Sequence, residues 1–122
     1  MTRKKMSDIY SLDFNPNILS SKQEELGLSF ADDDTAVELM KKEEKMLIAE
    51  LTLEHTKNSG YKNMTELNGY IYSDEKFKQF TDRYRQTLKA RNRSKIRYET
   101  FKAFRDDLRT KVVNERELAK NL

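Results

Sequence analysis

The chain has 122 residues, 36% apolar and 37% charged, with a formal net charge of +3. So polar a composition excludes a thick core and fits long helices that each bury one narrow stripe. There is no cysteine, hence no disulfide framework and no thiolate metal site; no apolar run is long enough for a signal peptide or a membrane span. These features lead us to expect a cytoplasmic protein with no membrane contact.

The net charge hides an asymmetry. Residues 1–75 carry 9 Lys/Arg against 15 Asp/Glu, and residues 76–122 carry 15 against 6, so the balance moves from −6 to +9. Such a split points to nucleic-acid contact or to head-to-tail pairing of protomers.

Residues 1–31 read as an irregular arm. Ile9, Tyr10, Leu12 and Phe14, with Ile18 and Leu19, follow no helical or strand period, and Asn15-Pro16-Asn17 is a turn signal. Ser21 and Glu24 have capping-box spacing, and Gly27 supplies a stop for one or two helical turns. The arm's apolar side chains pack in cis on the protein's own helices or in trans on a partner.

Residues 32–122 read as a helical hairpin domain. Asp32-Asp33-Asp34-Thr35 predicts a helix start, because acids favour the positive end of the dipole. Val37, Met40, Leu47, Ile48, Leu51 and His55 recur at 3–4 spacing, and Asn58-Ser59-Gly60 ends a helix over 32–58. Residues 59–73 form the connection, with Thr65 capping a short turn and Gly69 breaking it. From 74 to 120 no glycine or proline interrupts a second helix, about 70 Å long at 1.5 Å per residue. Its stripe is Phe77, Phe80, Tyr84 and Leu88, continued by Tyr98, Phe101, Leu108 and Val112. A first helix half as long leaves part of the second unpartnered, which predicts a homo-oligomer along this seam. The expected fold is all-α: an antiparallel helical hairpin with one long C-terminal helix, preceded by the arm, with coiled-coil-like oligomer packing.

LKARNRSKIR, residues 88–97, sets a basic side chain at every second position. On a helix, positions two apart lie 200° apart, so the run divides. Lys89, Arg93 and Arg97 share one side, extended by Arg85 and Lys78. Arg91 and Lys95 fall in line with Phe80, Tyr84 and Leu88, where they set register opposite Glu43 and Glu44. No acid occurs between Asp82 and Glu99. The outer row suits phosphates, the acidic helix of a neighbour, or solvent; Tyr84, Tyr98 and Phe101 suit stacking on unpaired bases, or the core.

Chemistry-bearing motifs are missing from the sequence. His55 is the lone histidine, Asp32-Asp33-Asp34 is not followed by a calcium-loop spacing, and neither a phosphate loop nor a nucleophile–base motif occurs. The expectation is a protein that is not an enzyme, with no catalytic residues, no metal site and no cofactor.

A helix closing on Ser59-Gly60, a short connection, YIYSDEKF at 70–77 and a long basic helix carrying RYETFKAFRDDL follow one another in order. Over residues 45–112 this order resembles the UvsY family of phage recombination mediators. The resemblance implies a small helical protein that binds single-stranded DNA, assembles into rings and helps load a recombinase, with a recombinase or a single-strand-binding protein as partner. The family's basic turn before Ser-Gly is replaced here by ELTLEHTKNSG, whose Glu50 and Glu54 outnumber Lys57. The family's DNA site therefore does not carry over there, and the long helix must do that work. The competing expectation is a coiled-coil adaptor, free of nucleic acid, that recognises its partner through DIYSLDFNPNIL.

Overall fold

The computed structural model describes residues 15–58 and 60–120. The arm residues Ile9, Tyr10, Leu12 and Phe14 lie outside them. Three helices follow one another: α1, Pro16–Asn58; α2, Met64–Ser73; and α3, Glu75–Lys120. Strands are absent among the described residues. The fold is all-α, an antiparallel hairpin of α1 and α3 closed by α2.

α1 begins at Pro16, not at Asp32. The Asn15 side chain accepts hydrogen bonds from the Asn17 and Ile18 amides at 3.1 and 3.4 Å. Pro16 then takes the first helical position, where its missing N–H costs nothing. What reads as a turn signal is thus a helix cap. The expected stop at Gly27 and start at Asp32 are both absent, since α1 runs through them and no glycine among the described residues has positive φ.

The buried and half-buried positions explain why. Along α1 the row is Leu19, Gln23, Leu26, Phe30, Asp33, Val37, Met40, Glu44, Leu47, Leu51 and Glu54, flanked by the half-buried Gly27, Asp34, Ala36, Ile48, Thr52 and His55. Along α3 they are Phe77, Phe80, Tyr84, Thr87, Arg91, Ser94, Tyr98, Phe101, Arg105, Leu108 and Val112, with a few flanking neighbours. Both rows alternate steps of three and four, which is the heptad of a coiled coil. Residues 19–30 continue the stripe of residues 37–51, so a burial gain holds the helix together through a local signal to stop.

Contacts divide the chain into two units. One is Asp32–Asn92; the other joins the segments up to Ala31 and from Arg93. Within Asp32–Asn92 the core gathers at Leu51, Leu67 and Ile71, with Leu47 and Phe77 packed against it. Val37, Met40 and Phe80 are buried in the same unit. Phe77, Phe80 and Tyr84 stand ring to ring at 6.3 and 5.9 Å. Within the other unit Tyr98 packs on Gly27 and Phe30, and the Arg105 guanidinium donates to Gln23 Oε1 at 2.7 Å. In both units an α1 segment runs antiparallel to an α3 segment.

Two expectations change as a result. α1 has 43 residues and α3 has 46, so the overhang that argued for an oligomer along the seam does not exist. Phe77, Phe80, Tyr84 and Tyr98 make their ring contacts within the chain. Phe101 stands 6.1 Å from Phe104, and Leu88 and Leu108 are half-buried.

The connection is also more ordered than its composition suggests. Asn63, rather than Thr65, caps α2 by accepting the Glu66 amide at 2.9 Å, while Glu66 reaches back to the Lys62 amide at 3.4 Å. Gly69 does not break the helix. Leu67 and Ile71 lie one turn apart on its buried face, and their burial outweighs the roughly 1 kcal/mol that glycine costs inside a helix.

Candidate nucleic-acid interface

α3 sorts its basic side chains by their place in the heptad. Arg91 occupies a seam position with 30% of its side chain exposed, and its Nη1 lies 3.3 Å from Asp34 Oδ1. Arg83, beside the seam, reaches Glu43 at 4.0 Å and lies over the Phe80 ring, 5.8 Å from its centroid. The expected partners of Arg91 were Glu43 and Glu44. Asp34 takes that role because α1 runs through the Asp triplet, which places it opposite Arg91 instead of at a helix end.

Lys95 is exposed and does not belong to the seam; Ser94, 8% exposed, stands there instead. The reason is geometric. Leu88 and Lys95 each sit one residue past Thr87 and Ser94, the positions that carry the buried row, so each lies about 100° around α3 from it.

Lys78, Arg85, Lys89, Arg93 and Arg97 are all exposed. From Arg85 onward they follow one another by four residues, so each advances about 6 Å along α3 and turns about 40° around it. Arg85 is the least available of them. Asp82 approaches it at 3.9 Å, and it lines a shallow groove of about 270 Å³ together with Glu44 and Tyr84. Among the described residues no carboxylate pairs with Lys89, Arg93, Lys95 or Arg97. Seven basic residues between Asp82 and Glu99 therefore separate into two held by acids of α1, one held weakly by its own helix, and four facing water.

The aromatic side chains do not join this row. Tyr84 and Tyr98 are half-buried against Phe80 and against Gly27 and Phe30, so they serve the core rather than a stacking platform. Acids near the end of α1 are occupied as well. Lys76 binds Glu54 at 3.3 Å and Glu50 at 3.8 Å, and the hydrogen bond it donates to Glu54 raises the Lys76 pKa.

His55 is half-buried, with Nε2 2.9 Å from Asp74 Oδ2 and its ring stacked on Tyr70 at 5.9 Å. The Asp74 carboxyl is held below its ordinary value, first by the Lys76 amide donating to it at 2.8 Å and then by His55. An ionised carboxylate only accepts, so Nε2 carries the shared proton. The cluster ties the end of α1 to the α2–α3 junction. Among the described residues no group of three or more metal-ligating side chains converges, and no helix is long and apolar enough to cross a membrane.

Sequence reasoning placed the exposed row and missed its counterpart inside the hairpin, the polar layers Asp34–Arg91 and Gln23–Arg105. A heptad fitted to both helices before assigning roles would have shown polar residues at facing seam positions. Comparison with known proteins finds no matching family model, no matching curated protein and no matching solved structure.

Proposed function

We propose that the chain is a single-stranded nucleic-acid-binding accessory protein of phage-type DNA recombination or replication. It works in the cytoplasm as an oligomeric scaffold or recombinase mediator and performs no catalysis of its own. The observation that carries this reading is the row Lys89, Arg93 and Arg97, exposed on successive turns of α3 without a carboxylate partner among the described residues, while Arg83 and Arg91 on the same helix are matched by α1. Unmatched like charges on one helix repel, and phosphates relieve that repulsion while releasing counterions. The resemblance to UvsY in the order of features supports the same reading, with a recombinase or single-strand-binding protein as partner.

The test is anisotropy of a labelled single-stranded oligonucleotide across a salt series. Four phosphate contacts, from Arg85, Lys89, Arg93 and Arg97, give a log–log slope of about −3, at roughly −0.7 per phosphate. Changing Lys89, Arg93 and Arg97 together to Gln lowers the affinity and brings the slope to about −0.7. Helical content stays constant, because Gln is a good helix former and the positions are exposed. No binding by the wild type at low salt, or equal slopes for both proteins, favours the adaptor reading instead.

A further inference from the structure

Leu39, Met46 and Leu53 stand 55%, 72% and 65% exposed on α1, inside the Asp32–Asn92 unit. Residues seven apart on a helix differ by only about 20°, so the three form one line, flanked by Lys42 and Ala49 on one side and by Glu43 and Glu50 on the other. It runs on the side of α1 away from Val37, Met40 and Leu51, which are buried against the rest of the unit. Single exposed leucines are ordinary on protein surfaces, but an apolar line at coiled-coil spacing marks a contact face.

We propose that this line is the contact face for a second copy of the chain, joined by a two-fold axis that passes by Met46 and closes the assembly as a dimer. Two observations name the occupant. The line reads the same in both directions from Met46, a leucine seven residues away on each side, which is the self-complementarity that a two-fold contact requires. The rim is also of mixed sign. Lys42 borders one side, and on the other Glu43 and Glu50 are already approached within their own chain by Arg83 at 4.0 Å and by Lys76 at 3.8 Å. A copy meets such a rim without the like-charge repulsion that bars α3 from pairing with itself along residues 83–98. This inference is independent of nucleic-acid binding, and it moves self-association from the α3 seam, which is filled within the chain, to the outer face of α1.

Sedimentation of the full chain at tens of micromolar tests it, together with cross-linking. The wild type is expected to run as a dimer. The double variant Leu39→Glu, Leu53→Glu is expected to run as a monomer with unchanged helical circular dichroism, since Glu favours helix at exposed positions. The chain has no cysteine, so Met46→Cys introduces a single thiol. Oxidised glutathione should couple two copies of that variant, and should leave a Gln86→Cys control on the outer side of α3 uncoupled. A monomeric wild type overturns the proposal, even if another protein binds the line. So does a dimer that the double variant leaves intact, an assembly larger than a dimer, or equal coupling at both thiols.

Discussion

Tyr98 lies so close to α1 that a Cβ on Gly27 would stand 3.3 Å from its ring edge, whereas a Cβ on Gly69 would meet nothing within 4 Å. Both glycines sit in helices with ordinary negative φ, so each gives up about 1 kcal/mol of helix propensity relative to alanine. Gly69→Ala is therefore expected to stabilise by close to that amount, read as a shift in urea midpoint. At Gly27→Ala the ring must yield by a few tenths of an ångström, and the gain should shrink toward zero. Equal gains at both positions would mean that the approach of Tyr98 constrains nothing. The sequence shows two glycines in helix-rich stretches and cannot separate them, because the difference lies in a residue 71 positions further along the chain.

At the scale of elements, the ends of helices were harder to read than their middles. Asn15-Pro16 has the composition of a turn and also of a helix start, and Asp32-Asp33-Asp34 looks like a start yet lies mid-helix, where Asp34 meets Arg91. Local residue types cannot decide such cases; the continuity of the heptad from Leu19 to Leu51 does. The long run of α3 was legible because nothing inside it breaks a helix. Between α2 and α3 the join rests on Asp74, whose side chain accepts the Lys76 amide and the His55 proton. Because the carboxyl is held down in the folded chain, its contribution is complete above the ordinary value of 3.8 and is lost as pH falls through the lower folded value. Asp74→Asn keeps a capping oxygen but cannot titrate. Acid unfolding followed by circular dichroism should fall less steeply below about pH 4 in this variant. An identical acid limb in both proteins would show that other carboxylates govern it.

For the whole molecule, the opposed charges of the two halves were legible, and so was the hairpin that they permit. The pairing was not, because an arm and a helix segment of the same composition cannot be told apart until the facing helix is known. That pairing has a consequence for the order in which the native state is won and lost. His55 and Asp74 are 19 residues apart in the chain, Asp34 and Arg91 are 57 apart, and Gln23 and Arg105 are 82 apart. Closing the shortest loop costs the least chain entropy, and each longer closure is cheaper once the previous one has formed. The region around Leu51, Leu67 and Ile71 should therefore form first and open last, with the free ends fraying in reverse order. Native-state amide exchange followed by mass spectrometry would display this as a gradient: slow around residues 47–51 and 67–80, progressively faster toward Gln23 on one helix and Arg105 on the other. Uniform protection along both helices would instead mark a single cooperative opening. A hairpin built this way exposes the segments around Gln23 and Arg105 many times for each complete unfolding, so a protease should cut there before it cuts around Leu51 and Leu67.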